Sequence, residues 1–419
     1  MKKIITTLML LLIISSTAIP QSGWFQQTSG VTQTLQSINF INANTGWIVG
    51  YSGTILKTTN GGTTWTAQTS GTAHYLLSVF FTSDQTGYAV GGNFSPNLGI
   101  ILKTTNGGTS WVIKTDTVAR QLNTVFFISP LIGWAAGDYN PAGAYMLKTI
   151  DGGDTWTTSA LPSYSYWSVF FVNANTGWLA GGSSSSASSI LKTINGGTTW
   201  TPQTVSTNNL LRDCYFIDAN TGWAVGNAGI LLKTINGGTT WGLQTIGTTK
   251  GLYGVTFFNA NTGWICTEAN DTSFYTTNGT NWTVQTNNAN INMNGIYFVS
   301  ATTGWMCGNA GKILKTTTGG VTFISQIGNN IPDNYVLHQN YPNPFNPTTN
   351  IKFDVSKAGN VLLEVFDVSG KSVAVLVNER LKAGSYEYLW NVYDLPSGIY
   401  YARMISDQYK NTIKMMLIK

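Results

Sequence analysis

Glycoside hydrolysis needs two carboxylates facing each other across a cleft. Between residues 24 and 327 this chain offers nine acids: Asp84, Asp116, Asp138, Asp151, Asp154, Asp213, Asp218, Glu268 and Asp271. Their spacing marks out no pair. His74 is the only histidine in that stretch and has no flanking motif, so a Ser-His-Asp arrangement has one candidate base and nothing to orient it. The whole chain has 3 Cys and 2 His. Cys266 and Cys307 each stand two residues after a recurring tryptophan, where other copies carry Val49, Val90 and Val225. Buried small residues are expected there, and Cys214 lies in an apolar run. Hard cations prefer several carboxylates. No catalytic residue, metal or cofactor is expected. Nor is nucleic acid, because a net charge of +5 is spread over 419 residues of which only 9% are charged.

The elements that would position any site are written as repeats. Asn44-Thr45-Gly46-Trp47 returns around Tyr88, Trp134, Trp178, Trp223, Trp264 and Trp305, at steps of 41 to 46 residues, the period of a propeller blade. A second block trails each by 18 to 23 residues and ends at Trp65, Trp111, Trp156, Trp200, Trp241, Trp282 and Phe323. Each copy parses into four short strands: an apolar a such as Val79-Phe80-Phe81, a b opening at Gly-Trp, an alternating c such as Ile55-Leu56-Lys57-Thr58, and a d opening at the second Trp. One such sheet cannot bury both faces, whereas seven packed radially can. Trp24-Phe25-Gln26-Gln27 copies a d strand and could close the ring, but Phe323-Ile324-Ser325-Gln326 competes for the same place. Six strand-c lysines, Lys57, Lys103, Lys148, Lys192, Lys233 and Lys315, read as solvent-facing positions that discourage edge pairing.

In such a ring the b–c and d–a loops share one face. Insertions fall in the b–c loops at 93–98, 138–144 and 183–189, which marks that face as the binding side. The d–a connections add His74, Tyr75, Arg120, Tyr164, Tyr166, Trp167, Arg212 and Tyr253. Aromatic and Arg side chains are typical anchors of binding surfaces. Tyr75, Arg120, Tyr164, Tyr166, Trp167, Arg212 and Tyr253 are therefore the candidate ligand-binding residues.

The second block resembles the Asp-box, or BNR, repeat. Thr58, Asn60, Gly62, Thr64 and Trp65 fit it, as do Thr149, Asp151, Gly153, Thr155 and Trp156; Asn106 with Trp111, Asn195 with Trp200 and Asn236 with Trp241 correspond. The sixth copy, ending at Trp282, is one residue short, and the seventh has Thr318 and Phe323. Side-chain bonds to the turn and indoles packed between sheets give the box a structural role. With Gly-Trp on b and Leu-Lys-Thr on c, the unit resembles the photosystem II stability/assembly factor type of propeller. Asp-box propellers include sialidases, whose site the resemblance would build from three arginines; the repeats hold only Arg120 and Arg212.

The ends carry addresses. Lys2 and Lys3, then an apolar run of about 11 residues and Ser16-Thr17-Ala18, read as a signal peptide over 1–20. The repeats are drawn over 23–328, with a linker at 329–334 and a second domain at 335–419. That tail opens Tyr341-Pro342-Asn343-Pro344-Phe345-Asn346-Pro347 and holds six or seven strands in some 80 residues. It resembles the type A sorting domain of the type IX (Por) secretion system. Pro342, Pro344, Gly398, Tyr400, Lys414 and Lys419 fall in its motifs, and the type IX machinery is the implied partner. The expected class is all-β, a seven-bladed β-propeller followed by a small Ig-like β-sandwich. The expected role is non-enzymatic binding of an extracellular protein or glycan by a secreted or surface-held protein. The alternatives are a glycan-processing enzyme and a photosystem II assembly-type factor.

Overall fold

The structure, a computed structural model, describes residues 23–418 except 95–96, 119, 139–143, 184–186, 269–271, 288, 322–323, 329 and 393–394. The signal segment, Lys419, Asp271, Phe323 and much of the three b–c insertions lie outside the described residues.

Seven four-stranded antiparallel sheets succeed one another along the chain. The first comprises Leu35–Phe40 (a), Gly46–Gly50 (b), Ile55–Thr58 (c) and Thr66–Gln68 (d), paired in that order. Five more repeat it. In the seventh, Met293–Phe298, Gly304–Gly308 and Ile313–Gly320 take their fourth strand from the N-terminus: Gly23–Gln27 pairs antiparallel with Ile313–Gly320. The a strands neighbour each other all the way round, the last against the first. The chain is therefore a closed seven-bladed propeller with an N-terminal latch. The competing segment goes elsewhere, since Ile324–Gly328 pairs with Gly384–Asn391 of the tail. The boundary drawn at 328 thus moves: strand pairing in the ring ends at Gly320, and Ile324–Gly328 belongs to the second domain.

Blades interlock through one repeated set of contacts. The strand-b aromatics Trp47, Tyr88, Trp134, Trp178, Trp223, Trp264 and Trp305 are all fully buried. Each stacks on the strand-a phenylalanine of the next blade, as Trp47 does on Phe81 at 3.5 Å and Trp305 on Phe40 at 3.7 Å between centroids. Each also donates to a box glycine carbonyl there: Trp47 Nε1 to Gly107 O at 3.2 Å, Tyr88 Oη to Gly152 O at 2.7 Å, Trp264 Nε1 to Gly319 O at 2.8 Å. The box tryptophan meets the same phenylalanine edge-on, Trp111 against Phe81 at 5.8 Å. In blade seven Trp24 takes that place, against Phe298 at 5.7 Å. Burying one indole removes roughly 150–250 Å² from water, an upper bound of about 4–6 kcal/mol. The glycine before each strand-b aromatic is explained too: a Cβ on Gly46 would lie 2.5 Å from the Phe40 ring.

The box turns hold themselves. Thr58 Oγ1 accepts the Gly62 N–H at 2.8 Å and donates to Asn60 Oδ1 at 3.0 Å, which accepts the Thr64 N–H at 2.9 Å. In blade three Thr155 Oγ1 also donates to Asp151 at 2.6 Å, and these bonds hold the Asp151 carboxyl well below the usual carboxylate range. The strand-c lysines do not simply face solvent. Lys57, Lys103, Lys148, Lys192, Lys233 and Lys315 lie 5.2 to 6.0 Å over the strand-b aromatic of their own blade. Burial pushes Lys192, Lys233 and Lys315 down.

The tail is two four-stranded antiparallel sheets around one core that includes Phe353, Leu363, Trp390 and Met404. Its opening motif clasps its last strand. Phe345 N donates to Met416 O and Ile418 N to Phe345 O, and Asn343 Oδ1 accepts the Met416 N–H at 2.8 Å. Thr349 Oγ1 and Asn340 Nδ2 both donate to the Pro342 carbonyl. Tyr400, buried, donates to Pro396 O at 2.8 Å two residues before Gly398, and the Lys414 carbonyl accepts from Gln339 and Asn343.

Candidate functional site

Every a strand breaks register once, at the same place: between Leu35 and Ser37, Leu76 and Ser78, Leu122 and Thr124, Tyr166 and Ser168, Leu211 and Asp213, Leu252 and Gly254, Met293 and Gly295. A bulge re-aims the side chain it carries. Here the extra residues are Gln36, Leu77, Asn123, Trp167, Arg212, Tyr253 and Asn294, and all seven line one axial cavity of about 410 Å³. The positions on either side repeat with little variation, Leu, Tyr or Met into the core and Ser, Thr, Asp or Gly toward the next blade. Between them the bulge position takes unrelated residue types.

Three of the seven meet. The Arg212 guanidinium lies 4.8 Å from the Trp167 ring centroid and 5.2 Å from that of Tyr253, and its Nε donates to Asn227 Oδ1 at 3.1 Å. The cation is held between two aromatic faces, in a planar stack that lysine could not reproduce. Beside it, Asp213 accepts the Ser168 hydroxyl at 2.7 Å and the N–H groups of Cys214 and Val255, each at 2.9 Å. Burial pushes its carboxyl up to about 6, against the pull of those bonds. Across the cavity, Asn123 Nδ2 donates to Asp138 Oδ1 at 2.9 Å and to the Tyr166 carbonyl at 3.2 Å, and burial pushes Asp138 up.

The other expected binding residues divide. Tyr75 lies at a tilt against Tyr51, 4.4 Å between ring centroids, and Tyr51 lines the cavity. Tyr164 is half-buried against the core between blades three and four. Two do not present a surface. Tyr166 is fully buried, because it holds the core position that Leu35, Leu76 and Leu122 hold elsewhere, and burial pushes its hydroxyl up to about 12. Arg120 is 5% exposed. Gln36, Leu77, Asn123 and Asn294 were not anticipated: no residue type flags them, and only aligning the copies on their Phe residues brings them into one column. The box residues lie at the c–d turns, where their bonds are internal to the turn. Among the described residues no three His, Cys, Asp or Glu side chains converge as a metal site. Cys214, Cys266 and Cys307 are buried and unpaired with one another. No helix of the described residues is long and apolar enough to cross a membrane.

Fold and site define a seven-bladed propeller of Asp-box repeats with a variable ring around its axis, followed by a sandwich module. The family model Photosynthesis system II assembly factor YCF48 matches residues 16–116, 161–243 and 198–285, together more than half of the chain. The chain belongs to that family. Residues 339–419 match the Secretion system C-terminal sorting domain, which marks the protein for export to the exterior or the cell surface. No curated protein matches the chain. Among solved structures, YCF48 bound to D1 peptide is 21% identical over 72% of this chain and 99% of that one, with a TM-score of 0.59. YCF48 from Cyanidioschyzon merolae is 20% identical over 70% and 98%, at 0.57. The GH74 xyloglucanase from Xanthomonas campestris is 10% identical over 80% and 60%, at 0.55. These likenesses describe the fold.

Proposed function

We propose that the propeller is a non-enzymatic module that captures an extracellular protein, through a peptide segment seated over the axial ring, and that the tail delivers it through the type IX secretion system. The observation that carries this reading is the ring of seven bulges. In each blade the strand-a bulge sets one residue of variable type against the same cavity. Trp167, Arg212 and Tyr253 give that ring a preorganised anchor of the residue types that dominate binding hot spots. The D1 peptide bound by a family relative makes a peptide the favoured ligand class over a glycan.

A pull-down from extracellular fractions, run beside a glycan array, tests the proposal. Capture of a protein that is lost on Trp167→Ala, Arg212→Ala and Tyr253→Ala, with unchanged thermal unfolding, is the expected result. Turnover of any glycoside, or glycan binding without protein capture, refutes it.

A further inference from the structure

The ring has a break in its symmetry that assigns a second feature to the cavity. In five blades the residue after the bulge accepts an N–H from the a strand of the next blade. Ser37 Oγ takes Val79 N at 3.2 Å, Ser78 Oγ takes Val125 N at 3.2 Å, Thr124 Oγ1 takes Val169 N at 3.3 Å, Ser168 Oγ takes Cys214 N at 3.2 Å and Asp213 Oδ2 takes Val255 N at 2.9 Å. In the last two blades that residue is glycine, Gly254 and Gly295. The matching donors are Ile296 N–H and Ile38 N–H, and among the described residues no side chain accepts either. A Cβ on Gly254 would lie 3.7 Å from Ile296 N, so a side-chain oxygen there could reach it. Both glycines sit opposite a cysteine, whose Sγ would lie 3.1 Å from their Cβ. Ile38, Ile296, Gly254 and Gly295 all line the axial cavity.

A sheet-edge N–H that no protein group accepts is free to donate to a ligand. We propose that the N–H groups of Ile38 and Ile296 receive main-chain carbonyl oxygens of the captured peptide. The neutral carbonyl is favoured over a carboxylate because the neighbouring side chains, Asn292 and Asn294, are uncharged amides. Asp213, the acid lining this cavity among the described residues, would repel an anion, while the Arg212 guanidinium there is already engaged by Trp167, Tyr253 and Asn227. This inference rests on the reading of the cavity as a peptide site.

The test is an amide NMR titration of the full chain labelled with 15N-isoleucine. The probe is N-acetylglycine N-methylamide, with sodium acetate and N-acetylglucosamine as separate arms. A saturable downfield shift of both Ile38 and Ile296 with the diamide, larger than with either other probe, is expected. Gly254→Ser combined with Gly295→Ser should supply internal acceptors and abolish that shift. No response to the diamide, or a stronger response to acetate or to the sugar, overturns the proposal, and the wild-type titration decides it even where the double variant does not fold. Failure here with protein capture intact would remove the N–H site and leave the bulge ring standing.

Discussion

The indole of Trp305, in the last blade, donates to the carbonyl of Gly61, in the first, at 3.2 Å. It is the same bond that Trp47 makes to Gly107 one step further on, so the ring closes with the contact that builds it. Trp305→Ala should destabilise the propeller by about 3–5 kcal/mol through cavity formation and loss of the bond. Trp305→Phe keeps a ring for Phe40 and leaves the Gly61 carbonyl to the Gln27 amide at 3.3 Å. It should cost less, about 1–3 kcal/mol, from the lost bond and a smaller cavity. Urea midpoints of the two variants measure the order.

The latch gives a second prediction. Trp24 stands in for the missing box tryptophan of blade seven, and Gly23–Gln27 supplies its outer strand. Ile324–Gly328 cannot substitute, because it is already paired with Gly384–Asn391. Deleting residues 23–27 should therefore open the ring. Limited proteolysis should then cut first within blade seven, and Trp24→Ala alone should lower the unfolding midpoint about as far as Trp305→Ala. Wild-type resistance in the deletion would show that the latch is dispensable.

How legible this was depends on what each residue reports. Blade number, strand order and the box could be read because packing prints the same demand seven times: a phenylalanine over glycine, an indole beyond it, a threonine under a turn. The latch could not be chosen, since Trp24 and Phe323 open equally plausible d strands and only long-range pairing separates them. The bulge was invisible because it is a backbone event. Side chains alternate along a strand, and one inserted residue reverses the facing of every later side chain. Tyr166 and Trp167 read as d–a loop residues on one face, whereas both lie in the strand Ser165–Phe171, Tyr166 packed in the core and Trp167 lining the cavity. Trp167, Arg212 and Tyr253 were found by residue type; Gln36, Leu77, Asn123 and Asn294 had no type to betray them.

Asp213 sets a pH dependence. Burial raises its folded pKa to about 6, above the roughly 3.9 of an unfolded aspartate. Between those values the folded state binds more protons than the unfolded one, so this group's stabilising contribution is present below about pH 4 and is lost as pH rises to about 6. Asp213→Ser installs the cap that Ser37, Ser78 and Ser168 provide elsewhere and removes the titration. Relative to the variant, wild type should lose stability from pH 4 to pH 7, read from urea midpoints at fixed ionic strength. Parallel pH profiles would contradict the assignment.

Tyr166 and Trp167, adjacent in sequence, separate packing from recognition. Tyr166 is fully buried, and among the described residues its hydroxyl makes two long contacts, to Pro162 O and Ser189 Oγ, each at 3.4 Å. Tyr166→Phe should change stability by less than about 1 kcal/mol and leave capture intact. Tyr166→Ala should destabilise by about 3–5 kcal/mol and affect capture only as far as folding fails. Trp167→Ala should behave in the opposite way. Its ring covers one face of the Arg212 guanidinium at the cavity, so its removal leaves the core intact and frees Arg212 from half of its stack. Affinity for the captured protein should fall at least tenfold while the unfolding midpoint stays near that of wild type. Equal loss of affinity in Tyr166→Phe and Trp167→Ala would place the binding surface away from the axis.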